Sequence, residues 1–191
     1  MDRQGELKII RAAYARQILA AAGVVDNMRL EAALSATRRE DFLGAGPWWI
    51  RRLRDYVTTP DADPVYLYTN DLVGILPERH LNNGQPSLHA HLIHQATPAA
   101  GAHVVHIGTG TGYYTAILAH LVGPSGRVTG IEYEPELAAR AKTNFADTQT
   151  SISSRATALW FRSMKPMSFT SMPAARGRPK AGSIASPRAA A

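Results

Sequence analysis

The sequence predicts an α/β fold: a Rossmann-like parallel sheet, incomplete after its second strand, with an N-terminal helical region in front of it. Three observations predict this. Val104-Val105-His106-Ile107 is a short apolar run that breaks into Gly108-Thr109-Gly110-Thr111-Gly112-Tyr113, as a buried parallel strand does when it feeds a glycine loop. Tyr114, Ala116, Ile117, Leu118 and Leu121 then give the apolar face of a helix. After the turn Gly123-Pro124-Ser125-Gly126, the run Arg127-Val128-Thr129-Gly130-Ile131-Glu132 is a second strand that ends in an acid. Strand, loop, helix and strand form one unit of the doubly wound class.

The other elements follow in order. Residues 6–22 repeat apolar positions at helical spacing, with Leu7, Ile10, Tyr14, Ile18 and Leu19 on one side and Gly23 as the stop. Asp26 is the expected N-cap of a second helix that buries Met28, Leu30, Ala33 and Leu34. Arg38-Arg39-Glu40-Asp41-Phe42-Leu43-Gly44 ends it. Residues 45–70 read as irregular, with turn chemistry at Gly46-Pro47 and Thr59-Pro60. Val65–Tyr68 and Asn70–Leu76 are expected strands. Asn83-Gly84 signals a tight turn, and Ser87 is the expected N-cap of a helix through Leu88, Leu92, Ile93 and Ala96. Beyond Glu132, Pro135 starts a helix that buries Leu137, Ala138, Ala141 and Phe145.

Composition narrows the function classes. None of the 191 residues is cysteine, which excludes disulfides, thiolate metal sites and a cysteine nucleophile. Neither a signal peptide nor a membrane-spanning run is indicated, so the expected setting is soluble and cytoplasmic, without a membrane partner. The net charge of +6 divides unevenly: seven of the 21 Lys/Arg and none of the 15 Asp/Glu lie in residues 151–191. Arg51, Arg52 and Arg54 beside Trp48 and Trp49 read as surface side chains around an anchored loop, and nucleic acid is not the expected partner. All seven histidines fall between His80 and His120. His91 and His94 share a helix face, yet no nearby acid completes a ligand set, so no metal is expected.

The loop selects its ligand. An acid at the tip of the second strand can accept two ribose hydroxyls, and Glu132 stands 24 residues after Gly108, near the usual distance. A dinucleotide fingerprint, G-x-G-x-x-G, needs glycine where Tyr113 stands. The G-x-G-x-G found here points instead to S-adenosyl-L-methionine, which has no pyrophosphate to cradle.

Residues 81–145 resemble the protein-L-isoaspartate O-methyltransferase family, whose sheet is that of the class I methyltransferases. The matching pieces are Gly84-Gln85, His106–Tyr113, Leu118–Gly123 and Ile131–Ala138, with a weaker likeness at Arg38–Phe42. The resemblance implies S-adenosyl-L-methionine as cofactor, held by Gln85, His106, Gly108, Thr109, Gly110, Thr111, Gly112, Tyr113 and Glu132. It implies a protein or peptide carboxylate as methyl acceptor, the side chain of L-isoaspartate, in protein repair. Two departures stand out. His106 occupies the place of an acid, and the family's active-site serine falls in strict register on Leu88, so Ser87 serves as the catalytic candidate only with a shift of one residue. A different methyl acceptor is the alternative within enzymes. A non-catalytic binding protein with a basic tail is the alternative outside them.

The expected organisation is therefore a helical and loop region over 1–80, a cofactor-binding half-domain over 81–150 and a basic tail over 151–191. The tail is rich in Ser, Ala, Arg and Pro and reads by composition as disordered. It also reads as a changed reading frame. Back-translated with GC-leaning codons and read from the third base, residues 156–169 yield a family-like acid-Gly motif and strand. If the frame changes near residues 146–155, the favoured reading, the chain ends as a methyltransferase fragment whose first strand lacks a neighbour on one side, and the sheet is expected to expose an apolar edge.

Overall fold

The fold is described from a computed structural model that covers residues 2–146, 148 and 150–154. The expected frameshift or tail beyond residue 154 lies outside the described residues. Helix α1, Arg3–Ala21, starts where the Asp2 carboxylate accepts the Gly5 N–H, and it buries Leu7, Tyr14, Ile18 and Leu19. Helix α2, Met28–Ala36, is capped by Asn27, whose side chain accepts the Leu30 N–H at 3.0 Å. Asp26, the expected cap, sits instead at φ 56° in the preceding turn. Met28, expected to be buried, is 82% exposed at the helix's first position, while Leu30, two residues on, turns into the core. Glu40–Leu43 is a separate short helix, α3.

The stretch expected to be irregular holds a hairpin. Strands β1, Trp49–Arg52, and β2, Asp55–Thr58, pair antiparallel through a two-residue turn at Leu53-Arg54. Leu53 takes the left-handed conformation there, at φ 52°, so the glycine or asparagine that usually announces such a turn is missing. Trp48 anchors the segment: it is buried, and its indole N–H donates to the Gly44 carbonyl at 3.0 Å. The expected strand at Val65–Tyr68 is a 3-10 helix, Pro64–Leu67. Pro64 takes its first position and the Asp63 side chain caps the Val65 N–H, so local turn chemistry outweighs β-propensity. Strands β3, Gly74–Leu76, and β4, Leu81–Asn82, form a second small antiparallel pair.

Helix α4, Pro86–Ala96, has Gln85 at its N-cap and Pro86 in its first turn. Ser87 lies one residue inside the helix and does not cap it. The cap comes from a distant side chain, since Asn70 Oδ1 accepts the Ser87 N–H at 2.9 Å. Then follow β5, His103–Ile107, α5, Tyr113–Val122, β6, Arg127–Glu132, and α6, Pro135–Asn144. The sheet runs one strand further than the sequence reading placed its end. Strand β7, Ser151–Ser154, pairs parallel with β6, from Thr129 opposite Ser151 to Glu132 opposite Ser154. Its composition hides it: one apolar residue, Ile152, stands among serines.

The strand order is β5-β6-β7, all parallel. Among the described residues β5 is therefore an edge strand, partly buried where a central position would bury it fully, and Ile107 at its tip is 59% exposed. One core joins α1, α2, α4 and α5 to Val128 of β6, with Leu30, Ala33 and Ile117 wholly buried. Among the described residues, no helix is long and apolar enough to cross a membrane.

Candidate cofactor site

Strands β5 and β6 run in parallel register, with Ile107 opposite Ile131. Their carboxyl ends open on the same side, the place where open α/β sheets bind ligands. The chain leaves β5 through the glycine loop and enters α5 at Tyr113. Two loop amides, Gly108 and Thr109, donate to the Ile131 carbonyl at 2.8 and 3.2 Å and stitch the loop to the tip of β6. The Gly110 N–H donates to Glu132 Oε2 at 2.6 Å, and the Glu134 N–H donates to Oε1 at 2.9 Å. Glu132 is buried, and both its oxygens are held by backbone amides. Each oxygen retains a second lone pair for a further donor.

The far end of α6 braces the loop from behind. Asn144 Nδ2 donates to the Thr111 carbonyl at 2.9 Å. Gly112 lies at φ 107°, and a Cβ placed there would stand 2.4 Å from the Phe145 ring. Only glycine meets both the conformation and the close approach. Below Tyr113 lies Arg39, which is wholly buried. Its guanidinium donates to the Leu67 carbonyl and, at 3.0 Å, to that of Thr69. It also lies 5.6 and 5.5 Å from the ring centres of Tyr14 and Tyr113. The N-terminal helices and the first turn of α5 are thereby packed on one cation.

The opposite wall comes from the turn before α4. His89 stacks on Tyr114, ring centres 3.7 Å apart and planes within 6°. The Tyr114 hydroxyl donates to the Gly84 carbonyl at 3.2 Å, and His89 Nδ1 lies 3.0 Å from the Gln85 carbonyl. A cleft of about 160 Å³ lies between the walls, lined by Gly108–Thr111, Tyr113, Tyr114, Ile75, Asn82, Asn83, Gly84 and His89. Whole small-molecule sites enclose about 300–1,000 Å³, so this cleft has room for part of a nucleoside cofactor. A larger groove of about 500 Å³ lies at the amino end of β6, beside Arg127 and Val128. That is the wrong end of the strands for a ligand of this fold.

The expected site residues divide by position. Gly108, Thr109, Gly110, Thr111 and Tyr113 line the cleft. Glu132 supports it through Gly110, and Gly112 faces away toward Phe145. Gln85 has an exposed side chain and contributes its carbonyl to His89. Ser87 is outside the lining, and its hydroxyl accepts from Asn70 Nδ2 at 3.0 Å. His106 lies under the loop, with Nδ1 2.8 Å from the Thr115 hydroxyl. Burial, with His89 nearby as a lesser cause, pushes its pKa down to about 4. At neutral pH it is therefore uncharged where the family pattern has an acid. His89, Tyr114, Asn83 and the bidentate Arg79–Glu134 pair, at 2.7 and 2.8 Å, escaped the sequence reading. Each depends on a contact between residues 10 to 55 apart that no local pattern announces.

The fold and the loop define a class: the sheet is that of the class I S-adenosylmethionine-dependent methyltransferases, with the glycine loop and the strand-tip acid on its cofactor side. Within that class the chain belongs to the protein-L-isoaspartate(D-aspartate) O-methyltransferase (PCMT) family, which it matches over residues 16–159. It is 46% identical over 57 residues to the protein-L-isoaspartate O-methyltransferase of Ignicoccus hospitalis, covering 30% of this chain and 27% of that protein. It is 55% identical over 42 residues to protein-L-isoaspartate O-methyltransferase 2 of Archaeoglobus fulgidus, covering 22% and 19%. The aligned segments thus span about a quarter or less of these relatives. A solved protein-L-isoaspartate O-methyltransferase superposes with a TM-score of 0.57 at 25% identity, over 75% of this chain and 41% of that one. A putative enzyme of that name from Plasmodium falciparum, solved with S-adenosyl-L-homocysteine, shares the fold with a TM-score of 0.54 at 15% identity, over 76% and 62%.

Proposed function

We propose that this chain carries the cofactor half-site of an S-adenosyl-L-methionine-dependent O-methyltransferase whose acceptor is the carboxylate of an L-isoaspartyl residue in a protein or peptide. The observation that supports it most is Glu132: a buried carboxylate at the tip of β6, oriented by the Gly110 and Glu134 amides, beside a G-x-G-x-G loop. The residues that would hold the cofactor are Gly108, Thr109, Gly110, Thr111 and Tyr113 along its length, with Glu132 for the ribose. When bound, it supplies an activated sulfonium methyl. The chain's own contribution is positioning. The loop and Tyr113 orient the cofactor, and Ser87, fixed by Asn70 on both its amide and its hydroxyl, offers its hydroxyl proton to a carboxylate. A carboxylate acceptor is already deprotonated and needs no general base. A cytoplasmic setting belongs to the same proposal.

A second reading, a different methyl acceptor, is favoured by one observation: Leu88 stands in the register of the family's serine, and its side chain is 52% exposed. Incubation with methyl-labelled cofactor and paired isoaspartyl and aspartyl peptides separates the readings. Label in the isoaspartyl peptide alone supports the first. Label in another acceptor supports the second. Label in none, together with absence of cofactor binding, leaves neither standing.

A further inference from the structure

Two polar groups on the α4 side of the cleft have no use in the site as described. Asn83 Oδ1 accepts the Val73 N–H at 2.9 Å. A backbone N–H can only donate, so this bond fixes which end of the amide is oxygen. The other end, Nδ2, is buried without a hydrogen-bond partner. A buried donor without a partner is unfavourable, and a ligand acceptor would remove that penalty. His89 is the complement. Its Nδ1 faces the Gln85 carbonyl at 3.0 Å. A carbonyl can only accept, so Nδ1 carries the proton and the neutral ring presents Nε2 as an acceptor. Among the described residues nothing donates to that Nε2.

The other polar groups on this wall are engaged. Asn82 Oδ1 accepts the Gly84 N–H at 3.0 Å, and the Tyr114 hydroxyl donates to the Gly84 carbonyl at 3.2 Å. The ring position is itself enforced. A Cβ on Gly84 would stand 2.2 Å from His89 Cε1, and Tyr114 covers the ring's flat side. One wall thus offers a free donor and a free acceptor. A zwitterionic amino acid supplies a counterpart to each, a carboxylate that accepts and an ammonium that donates.

Building on the proposed cofactor, we propose that Asn83 and His89 seat its amino-acid end: Asn83 Nδ2 donates to the carboxylate, and His89 Nε2 accepts from the ammonium. Both are positioning residues for the cofactor.

The test compares S-adenosyl-L-homocysteine with its deaminated and decarboxylated analogues, by NMR titration of the whole chain. His89→Leu should weaken the parent thioether about tenfold and leave the deaminated analogue unchanged. Asn83→Asp keeps the acceptor for Val73 and reverses the free end. It should weaken the parent about tenfold and leave the decarboxylated analogue unchanged. Unchanged affinity for one analogue also reports that the variant is folded. Equal losses for parent and analogue, or no loss, overturn the assignment while the proposed cofactor stands. Failure of the unmutated chain to bind the parent overturns both.

Discussion

His106 is a buried imidazole held neutral by its surroundings, and that state has a measurable consequence. Its folded pKa, about 4, lies below the ordinary value near 6.5. Between those values the unfolded chain binds the extra proton and the folded chain does not. Its contribution to stability is complete above about pH 6.5 and falls by up to about 3 kcal/mol as the pH drops to 4. Urea unfolding at pH 7, 5.5 and 4.5 should show this slope in the parent chain and a shallower one in His106→Gln. An equal slope in both would remove His106 as its source. Gly112→Ala makes a second residue-scale prediction. The φ of 107° and the Phe145 ring together should cost about 2 kcal/mol or more, read as a lower urea midpoint. The loop and Glu132 were legible in the sequence because their chemistry is local: a glycine spacing, and an acid at a strand tip. Asn83 and His89 were not. Their roles come from Val73, Gln85 and Tyr114, and the first two of these partners contribute a backbone atom, which every residue has.

At the scale of elements, legibility followed the strength of the local pattern. Helix α1 and strand β6 repeat or alternate clearly, and they lie where their sequences put them. The misplaced elements have separate causes, a capping side chain, a turn or strand pairing, each of which outweighs the pattern. Asp63 and Pro64 turn an apolar run into a 3-10 helix. Leu53 makes a hairpin turn without glycine. Strand β7 is specified by pairing with β6 rather than by its serines. The N-terminus of α4 is the case with a functional consequence, because its cap is Asn70, 17 residues upstream. Asn70→Ala should cost about 1 kcal/mol of stability. It should also free the Ser87 hydroxyl and lower isoaspartyl methyl transfer more than it lowers cofactor affinity. Chemical unfolding, with cofactor titration alongside, checks both. Equal effects on binding and transfer would place Ser87 outside the acceptor site.

For the molecule as a whole, the sheet edge is the exposed feature. Among the described residues β5 pairs only with β6, so its other edge presents unpaired backbone groups, and the strand, with Ile107 exposed at its tip, has no lysine, proline or bulge to blunt that edge. Edges of that kind template association. Sedimentation velocity should show concentration-dependent self-association that Ile107→Lys reduces. Association unchanged by that substitution would locate the contact elsewhere. The cleft of about 160 Å³ lies just beyond the carboxyl end of that strand, between the glycine loop and the turn before α4.

The glycine loop and Glu132 are proposed to form a cofactor half-site selective for S-adenosyl-L-methionine. Its most direct test is calorimetric titration of the parent chain and of Glu132→Ala with S-adenosyl-L-homocysteine and with a nicotinamide dinucleotide. The expected outcome is weak binding of the thioether, with a Kd on the order of 0.1–1 mM, loss of that binding in Glu132→Ala, and no binding of the dinucleotide. Micromolar binding would contradict the half-site. Binding unchanged in Glu132→Ala, or matched by the dinucleotide, would contradict the assignment of the loop.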